Sequence, residues 1–214
     1  MTKTGINILF VGNSFTARNS VPQMLVDLAA ERGYEMHFDL IQAGGASLRM
    51  HWNKGDVLKA IKKTCFDWVV LQEQSTLPVK NAVRMRENIE LFAEPIASSG
   101  AKMALYLTWA RRNAPESQNA ITNAYTSIGK QLRATVVPAG IAWEAFLTHH
   151  DTPMLHDKDL SHPTLAGSYL AACVFLATLF NENATGITTE LKGISAAERL
   201  ALQKVAWAVT QKVR

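Results

Sequence analysis

Residues 6–15 read Ile-Asn-Ile-Leu-Phe-Val-Gly-Asn-Ser-Phe, and the fold is decided by how this stretch is read. Positions 6–11 are apolar almost throughout, as in a strand covered on both faces rather than one alternating between core and water. Gly12-Asn13-Ser14 then interrupts the run with residues that favour a tight turn. Over residues 21–32, Val21, Met24, Leu25, Leu28 and Ala29 recur at helical spacing, and Gly33 supplies a stop. A doubly covered strand followed by an amphipathic helix is the opening unit of a parallel sheet.

The alternation continues along the chain. Further strands are expected over about 36–41, 68–71, 103–107 and 134–137. Helices are expected over about 82–97, 118–132, 141–148, 165–180 and 196–213, with Pro95 kinking or ending the first of them. Five strands separated by helices predict an α/β fold of three layers: a five-stranded parallel sheet flanked by helices, flavodoxin-like in arrangement. No repeat, low-complexity tract or linker breaks the pattern, so residues 1–214 are read as one domain.

Composition narrows the partners. The formal charge is +4, but basic residues are scattered and the adjacent pairs are only Lys62-Lys63 and Arg111-Arg112. A nucleic-acid protein concentrates such charge in a stripe, so no nucleic-acid partner is expected. No apolar stretch reaches the roughly 18–20 residues of a membrane span, and no membrane partner is expected either. The first apolar run begins close to Met1 with no leader-like pattern before it, which points to the cytoplasm. Cys65 and Cys173 lie far apart in apolar surroundings and read as small buried hydrophobes, not a disulfide.

In parallel sheets the reactive groups gather at the carboxyl ends of the strands. After the first strand comes Gly12-Asn13-Ser14-Phe15. A serine on such a turn exposes its hydroxyl at the sheet edge, although the same turn is also a common loop and Ser20 is placed to cap the next helix. After the second comes Gln42-Ala43-Gly44-Gly45-Ala46-Ser47, whose paired glycines either free an N–H for close approach to a ligand or make a flexible turn. After the third comes Gln72-Glu73-Gln74-Ser75, whose amides either donate to a developing oxyanion or sit solvated in a loop. Near the end lies Asp159-Leu160-Ser161-His162-Pro163. A carboxylate three residues before a histidine can fold back onto Nδ1, fix the tautomer and stabilise the imidazolium formed when Nε2 takes a serine proton.

Other residues are less pointed. His149-His150-Asp151 and His156-Asp157 are metal-ligating types, but read better as a polar loop after a helix; no metal or cofactor is expected. Trp109, Arg111 and Arg112 after the fourth strand, and His51 and Trp52 after the glycine pair, either line a pocket or cover the core.

As an ordered set, the four segments resemble the SGNH/GDSL hydrolase superfamily, whose blocks supply Ser, Gly, Asn and His. Gly12-Asn13-Ser14-Phe15 is similar to the first block, with Asn13 where the GDSL consensus has Asp. Gly44-Gly45-Ala46-Ser47 resembles the second, with Gly45 at the oxyanion glycine, and Asp159-x-x-His162-Pro163 the last. The third block departs: the family has Gly-x-Asn-Asp, and here Gln74 falls at the Asn position, with Gln72 an alternative donor. The resemblance spans residues 6 to about 180, most nearly to a bacterial branch. It implies the SGNH hydrolase fold, Ser14 as nucleophile, His162 as base, Asp159 as its orienting carboxylate, and an oxyanion hole of Ser14, Gly45 and Gln74.

The implied activity is esterase-type acyl hydrolysis through an acyl-enzyme on Ser14. The loops after the strands are polar and aromatic with no long apolar lid, which favours a small-molecule ester such as an O-acetylated sugar, a short acyl ester or a thioester. Two readings of other classes stand beside it. A flavodoxin-like ligand-binding module would hold a phosphate-bearing cofactor after strand one, but Gly12-Asn13-Ser14 is short of glycine for that and leaves Asp159 and His162 unused. A degenerate hydrolase kept as a scaffold is motivated by the missing Asn of the third block.

Overall fold

The computed structural model describes residues 3–213. In chain order these form β1 (Lys3–Gly12), α1 (Ser14–Ala17), α2 (Val21–Ala30), β2 (Tyr34–Gln42), α3 (Leu48–Lys54), α4 (Asp56–Lys63), β3 (Trp68–Leu71), α5 (Leu77–Lys80), α6 (Ala82–Ser98), β4 (Lys102–Tyr106), α7 (Gln118–Leu132), β5 (Thr135–Val137), α8 (Ala139–His149), α9 (Leu165–Phe175) and α10 (Ala196–Val213). The strands make one five-stranded sheet in the order β2-β1-β3-β4-β5, every pair parallel. The chain leaves β1 towards β2 on one side and returns to β3 on the other. That reversal opens a crevice at the carboxyl ends of β1 and β3, where doubly wound sheets place their ligands.

Both faces of β1 are buried, as its unbroken apolar run requires. Ile8 and Phe10 face one core, shared with α2, α8, α9 and α10. Leu9 and Val11 face the other, shared with α3, α4, α6 and α7. In the first core Phe175 meets Phe10 and Tyr106 edge-on, at ring-centroid distances of 5.6 and 4.8 Å. Helix α9 is buried along nearly its whole length, so its apolar residues show no amphipathic stripe. It passes into a π-helical turn at Leu176–Phe180 instead of running on as regular α-helix.

Several local expectations need correction. The segment after the glycine pair forms α3 and α4, which the sequence pattern leaves unassigned; Ser47 caps α3 by accepting from the Met50 N–H. Pro95 does not end helix α6, which continues to Ser98; standing in the last turn, the proline costs one helical hydrogen bond with only three residues beyond it. Ser20 precedes α2 in a left-handed conformation and makes no side-chain cap, the second helical position being Pro22, which has no N–H to satisfy. Cys65 is exposed in the turn before β3, not buried. Cys173 is buried in α9, and burial pushes its thiol up to about 12, which keeps it protonated and unreactive. Among the described residues no helix is long and apolar enough to cross a membrane.

Phe175→Ala empties the centre of the first core and is expected to lower stability by about 3–5 kcal/mol. Urea denaturation checks this: a midpoint unchanged from wild type would show that the aromatic cluster contributes little.

Candidate active site

The turn after β1 is held from below. Gln72 is fully buried, and its Oε1 accepts from the Asn13 N–H at 2.9 Å and from the Thr16 hydroxyl at 3.1 Å. A Cβ on Gly12 would stand 2.6 Å from that same Oε1, so only glycine admits Gln72 beneath the turn. Asn13 is buried as well. Its Oδ1 accepts from the Phe15 N–H at 3.1 Å, starting α1, and its Nδ2 donates to Ala46 O at 3.1 Å, tying the turn to the glycine loop after β2. His51 on α3 reaches back to Gly12 O with Nε2 at 2.8 Å. Ser14 is left half-buried at the head of α1.

The segment before α9 brings the histidine to it. Ser14 Oγ lies 2.8 Å from His162 Nε2, and His162 Nδ1 is hydrogen-bonded to Asp159 Oδ2. Asp159 Oδ1 accepts the N–H groups of Ser161 at 3.0 Å and His162 at 2.9 Å, the local fold-back open to a carboxylate three residues upstream. Leu160 adopts φ +61° to make this loop. Hydrogen bonds from the His162 backbone and ring hold the Asp159 carboxyl well below the usual carboxylate range. Since the carboxylate takes the Nδ1 proton's side, Nε2 is the nitrogen left to accept from Ser14.

Neighbouring elements fix this loop. Trp109 Nε1 donates to Ser161 O at 3.0 Å, the Arg112 N–H to Leu160 O at 2.9 Å, and Asn19 Nδ2 to Pro163 O at 3.2 Å. Arg18 pairs with Asp157 at 2.6 Å. Trp143, Trp109 and Phe15 stack in succession at 3.7 and 5.0 Å, and the His162 ring rests on Phe15 at 5.4 Å. Trp109 is therefore a buried support for the histidine loop, and its remaining surface lines a cavity.

The segment after β3 is not the solvated loop that its composition allows. Glu73 is fully buried and accepts three donors: the N–H groups of Leu48 at 3.0 Å and Gln74 at 2.7 Å on Oε1, and Asn88 Nδ2 at 2.8 Å on Oε2. Burial raises its pKa while these hydrogen bonds oppose the rise. One carboxylate thus clamps α3, α6 and the loop after β3. The two glutamines separate accordingly. Gln72 Nε2 donates to Glu73 O, which together with its bonds beneath Ser14 leaves that side chain unavailable to a ligand. Gln74 is half-buried; its Oε1 accepts from the Thr76 N–H and hydroxyl, and its Nε2 donates to no group among the described residues. Gly45 is exposed at φ +66° with open space where a Cβ would stand. It lines a cavity of about 560 Å³ together with Gln74.

Sequence reading missed Glu73, Asn13 and His51 as organisers. Their bonds run between segments far apart in the chain, and a lone Glu, Asn or His carries no local mark of burial. The histidines near the end are also accounted for. His156 is buried against Ala110 O at 2.9 Å, His150 stacks on Phe146, and Asp157 is taken by Arg18. Among the described residues no group of three or more His, Cys, Asp or Glu is placed to hold a metal ion.

No protein-family model matches the chain, and no curated protein does. Solved structures do match. A protein from Slackia heliotrinireducens, assigned provisionally to the SGNH hydrolases, superposes with a TM-score of 0.71 at 25% identity, over 82% of this chain and 100% of that one. A DUF4886 family protein from Bacteroides uniformis gives 0.80 at 20% identity, over 97% and 95%. An acetylxylan esterase from Geobacillus stearothermophilus gives 0.63 at 17% identity, over 83% and 95%.

Burial lowers the pKa of His51 below the ordinary histidine value of 6.5, so the unfolded chain binds its proton first. The stability this neutral histidine contributes is present above 6.5 and falls as the pH drops towards the folded value. Wild type is therefore expected to lose more stability between about pH 7.5 and 5.5 than His51→Gln, whose amide keeps a donor for Gly12 O. Urea midpoints at the two pH values measure the difference, and equal losses would contradict it.

Proposed function

We propose that this chain, which resembles the SGNH and GDSL-type hydrolases and has their fold, is a serine hydrolase of small esters with Ser14 as nucleophile. The observation that carries the reading is the relay itself: Ser14 Oγ, His162 and Asp159 in hydrogen-bonded succession at the carboxyl edge of the sheet. Nothing in the core requires that relay, whose side chains are half-buried or exposed.

A neutral serine hydroxyl is a weak nucleophile and needs a base aimed at its proton. His162 Nε2 takes that proton as Ser14 Oγ bonds to the ester carbonyl carbon, and the ionised Asp159 stabilises the imidazolium from Nδ1. The negative charge moves to the carbonyl oxygen. The donors assigned to it are the Ser14 and Gly45 N–H groups and Gln74 Nε2, whose amide is already turned by its Oε1 bonds to Thr76. Collapse of the tetrahedral intermediate breaks the ester C–O bond, and His162 returns the proton to the departing alcohol. Water then attacks the acyl-enzyme by the same route, releasing the acid and restoring Ser14.

The loops after the strands and a cavity next to the chain neighbours of the site bear on the substrate class. Phe15 and Ser75, chain neighbours of Ser14 and Gln74, line a cavity of about 330 Å³ with Val79, Trp109 and Ile121. Polar and aromatic loops with no long apolar lid favour an acetyl or short acyl group over a long chain. The acetylxylan esterase from Geobacillus stearothermophilus shares the fold, which supports including O-acetylated sugars and short acyl esters or thioesters in the class.

A fluorophosphonate probe should label wild type and leave Ser14→Ala and His162→Ala unlabelled; wild type without labelling would overturn the reading and favour a binding module or an inactive scaffold. Against a series of 4-nitrophenyl esters, kcat/KM should peak at short acyl chains, and Gln74→Ala should lower kcat about a hundred- to thousandfold. A rate climbing steadily with chain length would contradict the assigned substrate class.

A further inference from the structure

The cavity of about 560 Å³ shared by Gly45 and Gln74 has a second chemical character. Arg49 of α3 and Arg84 of α6 line it, with Asn88 and Glu87. Arg49 is half-buried, and its Nε donates to Asn88 Oδ1 at 3.1 Å. That bond fixes the plane of the guanidinium, while its two terminal amino groups have no hydrogen bond among the described residues. Neither Arg49 nor Arg84 has a carboxylate within ion-pair distance among them. Glu73, behind Asn88, attracts Arg49 through space, but its three hydrogen bonds come from Leu48, Gln74 and Asn88 and none from the arginine fork. Glu87, at the rim, is exposed and makes no ion pair among the described residues. A half-buried guanidinium held at Nε and open at its fork is arranged to grip a planar anion with two parallel bonds.

We infer that this cavity receives an anionic group, a carboxylate or similar oxyanion, borne by the ester substrate and held by Arg49 with Arg84 at its rim. The inference rests on the hydrolase reading for its position, since Gly45 and Gln74 are also the assigned oxyanion donors. It narrows the substrate from small esters in general to small esters with one negative charge beyond the scissile bond. The charge sits on the acyl or the alcohol side of that bond, and assay separates the two.

Two matched pairs test it by pH-stat. For the acyl side, monomethyl glutarate is compared with methyl butyrate; for the alcohol side, 2-acetoxypropionate is compared with isopropyl acetate. One pair should show kcat/KM higher for the anionic ester by about ten- to a hundredfold, the range of a charge-assisted bond. In Arg49→Met that ratio should collapse towards one, and Arg49→Lys should restore part of it. Equal rates within both pairs overturn the inference. So does a parallel fall of both esters in Arg49→Met with the ratio kept, which would make the arginine a buttress of Glu73. A readout without turnover separates this from the underlying reading: free glutarate should raise the melting temperature of wild type and not of Arg49→Met. That Arg49-dependent shift in a protein that no fluorophosphonate labels would sustain the anion site and remove the hydrolase. Labelling of Ser14 with neither ratio nor shift would remove the anion site alone.

Discussion

One side-chain carbonyl, Oε1 of Gln72, holds the turn on which the site depends. It accepts from the Asn13 N–H and the Thr16 hydroxyl in a fully buried position, joining the end of β3 to the start of α1 across the point where the sheet reverses direction. In such a place water cannot substitute for a lost partner, and an unpaired acceptor or N–H would cost about 1–3 kcal/mol. The turn therefore has one low-energy path, and Gly12 exists to leave room for it. Ser14 inherits a defined direction from bonds made entirely by its neighbours.

The same logic extends outward in two directions. Towards β2, Asn13 passes the constraint to Ala46 O beside Gly45. Towards α6, Glu73 passes it to Leu48, Gln74 and Asn88. These are buried charge-assisted or amide bonds, and those to Ala46, Leu48 and Asn88 draw together segments separated in sequence. The histidine loop is held otherwise, by the aromatic column beneath it and by backbone carbonyls that accept from Trp109, Arg112 and Asn19. Serine and histidine thus meet from two segments braced against each other through Phe15, Arg18 and Asn19, which is how a 2.8 Å contact can persist between side chains 148 residues apart.

What the sequence disclosed divides along the range of the forces involved. The sheet was legible because burial on both faces leaves a continuous apolar run, and helices α7 and α10 were legible to their end residues from spacing alone. The Asp159–His162 fold-back was legible for the same reason, being local to four residues. Helices α3 and α4 were not, since each buries only two residues and the rest of their pattern is polar. Cys65 misled because apolar neighbours in sequence do not guarantee burial at a turn. Gln72 and Gln74 were indistinguishable on alternation, which does not register hydrogen-bond partners; Gln72 is tied beneath the serine turn and Gln74 to Thr76.

That separation bears on the glutamine that stands where the SGNH/GDSL pattern this chain resembles has asparagine. An asparagine amide reaches its target with one fewer torsion, so glutamine at the same place loses precision unless something removes the extra freedom. Here Gln74 is restrained twice: its N–H is fixed by Glu73 and its Oε1 by the Thr76 N–H and hydroxyl. With the acyl oxygen end tethered, the planar amide leaves Nε2 a narrow arc on the opposite edge. The added methylene is thereby absorbed by the loop rather than left as disorder. Of the three residues after β3, Gln72 builds the serine turn, Glu73 clamps the surrounding helices, and Gln74 keeps an amide Nε2 without a partner among the described residues, beside the cavity it lines with Gly45.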